Sequence, residues 1–406
     1  DASAHAGWSL HGFNQGRHFA LGVYRSSVPS YAFPIATIAS YNGTKGSWEA
    51  SRQDIDLPCD TTYGFGFTVS SVGNSLIIGH QKASPIYIDQ GAVYVLTYTG
   101  RRWEKEHELT HSDASSSHYF GQALAGVGTD RIIVGRPASA YIFYKEKNSG
   151  NWTQEQQLSA VYPSDIFLGE TSTSSYFGCS VAAVGEKKVI VGDYYSNYGN
   201  YNGTSYYTGA AVIFIHNGTM WKVDGYLLPE DAYSKISSPY FGFSVAGVSS
   251  SMVVIGAPHD DDVGSTVSDK TGAAYIFTST SCGWAQEQRL SLSNALSEDY
   301  FGWSVSGING NMILIGTQSE NNTAVVYERA VNHNRTEYAW VRSNSFSQRA
   351  GYYESAATLF DCGAAVGNSS SNHSCAGSCG DIVCDDSGFS CCGCDEFCEA
   401  YGDCCT

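Results

Sequence analysis

YFGFSVAGVSSSMVVIG, residues 240–256, decides the fold, because close copies of it recur along the chain. YFGQALAGVGTDRIIVG starts at Tyr119, YFGCSVAAVGEKKVIVG at Tyr176 and YFGWSVSGINGNMILIG at Tyr300, with looser copies GFGFTVSSVGNSLIIG from Gly64 and AGWSLHGFNQGRHFALG from Ala6. A phrase returning about every 60 residues is the mark of a repeat architecture, in which each unit is one supersecondary element that buries its apolar faces only against its neighbours.

Within the copy at Tyr240, Ser244 to Gly247 are small, as suits an innermost strand where several units converge. Ser249 to Ser251 form a turn, and Met252 to Ile255 are apolar at consecutive positions, the pattern of a strand buried on both faces. A third strand follows in GAAYIF from Gly272, with counterparts GAVYVL from Gly91, ASAYIFY from Ala138, GAAVIFI from Gly209 and TAVVYE from Thr323. Trp48, Trp103, Trp152, Trp221, Trp284 and Trp340 each mark a fourth strand and read as core packing rather than a ligand box. Six units of four short strands with both sheet faces apolar predict an all-β fold, a β-propeller.

Outside the repeats, composition narrows the function classes. A net charge of −17 opposes binding to nucleic acid or to an anionic membrane, both of which need clustered Lys and Arg. No run of 18 apolar residues occurs, so no helical membrane span is expected. The chain opens at Asp1 without a basic, apolar leader, as a chain processed for secretion would. Eight N-x-Ser/Thr triplets, at Asn42, Asn151, Asn202, Asn217, Asn321, Asn334, Asn368 and Asn372, predict N-linked glycans and an extracellular address. The 13 cysteines point to the same oxidising compartment. Because that number is odd, at least one thiol is free or bonded to another molecule, and Cys179 on an inner strand is the candidate for a buried free thiol.

The aromatic-Gly, aliphatic-Gly, Gly-Ala-aromatic and Trp-x5-Leu elements together resemble the FG-GAP repeats of integrin-alpha-type propellers, over roughly residues 5 to 367. That family often carries an Asp-rich calcium loop between its first two strands. Here the same place holds VGNS, VGTD, VGEKK, VSSS and INGN, which lack the spaced carboxylates a hard cation needs. The resemblance is therefore to the short-turn, calcium-free variety, and integrin-type calcium sites are not expected.

Six units end near residue 345, yet YYESAATLFDCGAAVG from Tyr352 can be laid over YFGWSVSGINGNMILIG, with Tyr353 at the Phe position and Val366-Gly367 at the Ile-Gly position. The expectation is a seven-unit propeller whose last blade is half formed, with six units and a linker as the alternative. An unpaired strand edge invites completion by the chain's own termini or by a neighbouring molecule.

Nine of the cysteines, Cys375, Cys379, Cys384, Cys391, Cys392, Cys394, Cys398, Cys404 and Cys405, crowd the last 32 residues and predict a small module stapled by disulfides. Residues 371–406 resemble a somatomedin-B module, which implies an extracellular protein-binding element. Cys384 and Cys391 are additional to that pattern, so no pairing is carried over. The propeller is assigned residues 1–370.

Four features raise the question of chemistry or binding. His107-Glu-Leu-Thr-His111 fits the HExxH pattern of zinc peptidases, but that chemistry needs a helix. The repeat puts Trp103 to Leu109 on a fourth strand, where the two histidines stand about 13 Å apart. The Gly-x-Ser at Ser244 and Ser304 recurs from unit to unit without the final Gly of a nucleophile elbow, which makes it architecture. Asp260, Asp262 and Asp269 form an acidic loop, read as solvated or as a weak calcium site. The segment YYSNYGNYNGTSYY, with Tyr194, Tyr195, Tyr198, Tyr201, Tyr206 and Tyr207, has the composition of a contact surface for protein or sugar, or else of a self-packed loop shielded by the Asn202 glycan. No catalytic residue and no cofactor is assigned.

These readings combine into an expectation of a secreted, non-catalytic glycoprotein acting in extracellular assembly, with other copies of itself or extracellular proteins as partners. A monomeric adhesion or carbohydrate-binding module is the first alternative, and a hydrolase the second.

Overall fold

The computed structural model describes residues 4–13, 18–25, 37–42, 47–51, 65–99, 103–159, 162, 176–196, 198–201, 204–231, 238–261, 269–319, 323–331 and 338–347. The chain divides into two compact units, residues 1–364 and 365–406. All nine clustered cysteines, the somatomedin-B-like resemblance, Asn368 and Asn372 fall outside the described residues, as do Asn202, Asn321, Asn334 and Asp262.

Among the described residues the structure is all β, with six four-stranded antiparallel sheets. Sheet one holds β1 (Ala4–Phe13), β2 (His18–Arg25), β3 (Thr37–Asn42) and β4 (Ser47–Ser51). Sheet two holds β5 (Phe65–Val72), β6 (Ser75–His80), β7 (Ala92–Tyr98) and β8 (Trp103–Leu109), and sheet three β9 (Ala123–Val127), β10 (Arg131–Arg136), β11 (Ser139–Lys145) and β12 (Trp152–Leu158). Sheet four is built of β13 (Ser180–Val184), β14 (Lys188–Asp193), β17 (Ala210–His216) and β18 (Trp221–Leu227), interrupted by a separate hairpin, β15 (Tyr198–Tyr201) with β16 (Thr204–Tyr207). Sheet five runs β19 (Ser244–Ser249), β20 (Met252–Ala257), β21 (Ala273–Thr280) and β22 (Gly283–Leu290), and sheet six β23 (Ser304–Ile308), β24 (Met312–Gly316), β25 (Thr323–Val331) and β26 (Tyr338–Ser347). Every sheet is a simple meander, as a propeller blade requires.

The strand assignments follow the phrase. Met252–Ala257 is buried at every position, because its two faces meet two different neighbours. β22 alternates only weakly, since one face is at the rim. The tyrosine-rich segment departs from expectation: instead of a plain loop it pairs Tyr198 with Tyr207 and Tyr201 with Thr204 in a hairpin.

Neighbouring sheets are joined by a repeated joint. The aromatic of each phrase, Phe120, Phe177, Phe241 and Phe301, is at most 1% exposed and sits in a cluster shared between two sheets. Burying such a ring contributes about 1.5–3 kcal/mol. Its backbone is held too: Phe120, Phe241 and Phe301 donate N–H to the carbonyls of Gln90, Thr208 and Thr271 in the preceding unit, at 3.0, 3.1 and 3.0 Å.

The small hydroxyl that follows completes the joint. Thr68 donates to the Gly121 carbonyl (2.9 Å), Ser180 to that of Gly242 (2.8 Å) and Ser244 to that of Gly302 (2.9 Å), each time across to the next unit. The repeated serine is thus consumed by architecture. At the rim, Gln156 clamps the backbone of Trp221 and Gln288 that of Trp340 through both amide atoms.

Candidate functional site: an aromatic platform on units four to six

The joint is the same from unit to unit, but the residue that follows the Gly of each phrase varies: Trp8, Phe67, Gln122, Cys179, Phe243 and Trp303 in units one to six. Around Phe243 and Trp303 the end of the propeller where the inner strands begin is continuously aromatic.

Tyr176 stacks on Tyr195 with ring centroids 4.5 Å apart. Tyr194 lies 5.2 Å from Tyr195, 5.7 Å from Tyr240 and 5.3 Å from Phe243. Phe243 continues to Trp303 at 4.6 Å. A second row runs from Tyr207 to Tyr195 at 5.1 Å, on to Tyr240 at 5.1 Å, then to His259 at 4.2 Å and Tyr300 at 5.3 Å. All of these side chains are half-buried, so the rings pack on one another yet keep part of their surface open.

The loops supply the positions. Tyr194 and Tyr195 follow β14, Tyr207 closes β16 and His259 follows β20, while Tyr240 and Tyr300 precede β19 and β23. Tyr240 and Tyr300 hold left-handed backbone, φ 58° and 50°, which costs a non-glycine residue about 1–2 kcal/mol. Tyr119 shares it at 52°, so this turn belongs to the repeat; the rings gathered around it do not.

Burial keeps Tyr194, Tyr240 and His259 uncharged near pH 7. Burial, with the hydrogen bond shared with Tyr195 (3.1 Å) second, pushes the Tyr240 hydroxyl up to about 12. Burial lowers His259 to about 4, aided by the charge of Lys270. Burial also raises the Cys179 thiol to about 12, with Asp193 adding to it. That thiol therefore stays protonated and is a poor nucleophile. Both Cys179, partly exposed just before β13, and Cys282, exposed, are unpaired.

Unit three is polar where units four to six are aromatic. His111, its side chain fully buried, binds Asp113 at 2.9 Å. Asp113 also accepts from Tyr141 (2.7 Å) and Arg136 (3.1 Å). Burial outweighs the Asp113 contacts and lowers His111 below the usual histidine range.

The other residues singled out in the sequence fall as follows. His107 lies inside β8 beside Glu106, at 3.6 Å, and His111 beyond it has its own partner, so HELTH is not helical and its histidines serve different neighbours. Asp260 is fully buried and bonded to Tyr275 and Arg289. Asp261 caps the loop by accepting from the backbone of Asp269 and Lys270 at 2.8 and 3.0 Å. Among the described residues no cluster of three or more potential ligands could hold a metal ion. Asn151 and Asn217 occupy exposed turns; Asn42 lies on β3. Of the six tyrosines of the contact segment, Tyr194, Tyr195 and Tyr207 join the platform, while only the backbone of Tyr198, Tyr201 and Tyr206 is described, in the hairpin. Sequence reasoning missed Phe243, Trp303, Tyr240, His259 and Tyr300 as site residues. The position after each phrase's Gly could have drawn attention to Phe243 and Trp303, whereas Tyr240, His259 and Tyr300 carry no such mark in the sequence.

The protein-family model described as FG-GAP repeat matches residues 221–277 and 284–328. With the blade-like sheets, this supports an FG-GAP, propeller-like fold. No curated protein matches the chain. Among solved structures, a candidate 6-phosphogluconolactonase from Bacteroides uniformis superposes with a TM-score of 0.51 at 9% identity, over 84% of this chain and 88% of that one. A second from Bacteroides fragilis gives 0.46 at 10% identity, over 84% of each chain. Such identities convey the fold alone.

The first of the two nevertheless corrects one expectation. The non-catalytic assembly role was inferred from a propeller whose recurring motifs are architecture, yet the Bacteroides uniformis structure, which shares the fold, carries an enzyme's designation. The physical reason is that blade joints occupy the strands and leave the connecting loops free, so the scaffold excludes neither binding nor catalysis.

Proposed function

We propose that this propeller recognises a neutral, ring-shaped small molecule of saccharide or lactone type on the platform of Tyr194, Tyr195, Tyr240, His259, Tyr300 and Trp303. The observation that carries this reading is a connected, half-buried aromatic surface that runs across units four to six. Aromatic faces suit the C–H faces of a sugar ring, and tyrosine hydroxyls and a neutral imidazole add polar handles. The 6-phosphogluconolactonase designation of the Bacteroides uniformis structure is compatible with a ring ligand.

The test is a titration of the full chain with neutral saccharides and sugar lactones, read by tryptophan fluorescence. Saturable quenching that weakens at least tenfold in Tyr240→Ala supports the reading. Absence of saturable binding across the panel, or binding indifferent to Tyr240→Ala, refutes it. Acid release from the lactones in the same samples reports turnover.

Three finer readings accompany this one. The sequons, two of them on exposed turns at Asn151 and Asn217, support an extracellular, N-glycosylated protein. Residues 371–406 are assigned as a disulfide-stapled, somatomedin-B-like module on their cysteine pattern. The ring is assigned seven units, the seventh begun by residues 352–367. What supports that number is the match of that segment to the repeated phrase.

A further inference from the structure

Two inner-strand positions break the repeat, and they break it together. The place held by Ser70, Ala125, Ala182, Ala246 and Ser306 in the other units is His11 in unit one. The next place, Gly12, Gly126, Ala183, Gly247 and Gly307 in the other units, is Ser71 in unit two. β1 and β5 pack side by side, and across that boundary His11 Nε2 lies 3.0 Å from the Ser71 hydroxyl oxygen. Both side chains are partly exposed. Elsewhere this level of the joint is closed: a methyl group on Gly247 would stand 2.1 Å from the Ala183 carbonyl oxygen, and one on Gly307 2.2 Å from that of Gly247. The boundary between units one and two instead makes room for a hydroxymethyl group and an imidazole. The hydroxyls of Thr68, Ser180 and Ser244 are taken up by carbonyls of the next unit, whereas that of Ser71 faces a base. Burial lowers His11 to about 4, so near pH 7 its ring is neutral and can accept a proton.

We propose that Ser71 and His11 form a nucleophile–base pair that hydrolyses small uncharged carboxylic esters. A serine nucleophile needs its own base within hydrogen-bond reach, and here each member occurs once at its place in the repeat. Ser71 Oγ attacks the ester carbonyl carbon while its proton passes to His11 Nε2. The bond to the leaving alcohol then breaks, and His11 gives the proton to that oxygen. Water attacks the acyl-serine, His11 takes its proton, and Ser71 Oγ receives that proton as the acid departs. The chain's net charge of −17 disfavours anionic esters. No carboxylate is bonded to His11 among the described residues, and a pair without that support is slow, so covalent capture is the decisive readout. The inference is independent of the aromatic platform: Ser71 is the penultimate residue of β5, whereas the platform lies at the end where the inner strands begin.

The experiment incubates the full chain with an alkyl fluorophosphonate, which phosphonylates activated serines, and maps the adduct by mass spectrometry. The expected result is an adduct on Ser71, lost in Ser71→Gly and formed about a hundredfold more slowly in His11→Ala. Both variants install a residue that other units carry at the same place, so the packing of the repeat accommodates them. Added imidazole is expected to restore labelling in His11→Ala, which a packing role for His11 would not produce. An unlabelled Ser71, or labelling indifferent to His11→Ala, overturns the proposal. Tyr240→Ala is expected to leave the labelling unchanged, which keeps this result separate from the saccharide titration. With p-nitrophenyl acetate, release of p-nitrophenol that Ser71→Gly abolishes is expected, and equal release from the two chains overturns the esterase assignment.

Discussion

Gly256 and Gly302 meet so closely across the boundary between sheets five and six that a methyl group on Gly256 would stand 2.0 Å from the Gly302 carbonyl oxygen. The same methyl would lie 2.3 Å from the Ser244 hydroxyl that donates to that oxygen. Gly256→Ala therefore forces two backbones apart and breaks a bond at once. The expected loss is about 3 kcal/mol or more, at the upper end of overpacking costs, against about 1 kcal/mol for Ser244→Ala. Urea unfolding of the two variants checks the ratio; equal losses would mean that the joint has slack.

Two aromatics in one phrase answer to different needs. Phe301 is fully buried between sheets five and six, and Trp303, two residues on, is half-buried on the platform. Phe301→Ala is expected to cost about 3–5 kcal/mol. Trp303→Ala is expected to cost less than half as much in stability, while abolishing the ligand-induced change in tryptophan emission. Thermal melts together with the titration separate the two roles.

Acid lowers stability through His259. Its folded pKa, about 4, lies below the ordinary 6.5 because burial disfavours the charged ring. Below pH 6.5 the unfolded chain takes up the proton more readily than the folded one, so stability is full above 6.5 and falls as the pH drops toward 4. The ring is only half-buried, and solvent screening reduces the effect to about 1–2 kcal/mol. His259→Phe keeps a ring between Tyr240 and Tyr300 and removes the titration, so its stability profile between pH 6.5 and 4 is expected to be flatter than that of the parent chain. Identical slopes would place the acid sensitivity elsewhere, with His111 next in line.

The fold was legible because its rules are local and repeated. Consecutive apolar residues such as Met252 to Ile255 announce a strand buried on both faces, and the six fourth-strand tryptophans mark the rims. The platform was harder to see, because its rings come from six separate connections. Tyr194 and Tyr195 stood out by composition, but Tyr240 and Tyr300 looked like mere copies of Tyr119. Only three-dimensional packing shows that the rings after β14, β16 and β20 converge on them. The acidic loop misled in the opposite direction. Asp260 reads as exposed charge in sequence, whereas the Tyr275 hydroxyl and Arg289 guanidinium allow it to be fully buried.

The two unpaired cysteines of the described propeller should differ sharply in reactivity. Cys282 is exposed on the turn between β21 and β22, whereas burial raises the Cys179 thiol to about 12 beneath Tyr194. The reactive species is the thiolate, so burial both shields Cys179 and keeps it protonated, while Cys282 is open to reagent. Brief alkylation of the native chain is expected to label Cys282 and leave Cys179 unmodified, with Cys179 becoming reactive only in denaturant. A platform ligand should leave Cys282 labelling unchanged and slow the residual labelling of Cys179, because any opening that admits reagent to that thiol must first displace the rings above it. Peptide mapping reads both rates. Fast native labelling of Cys179 would show that the aromatic platform does not seal the inner end of unit four.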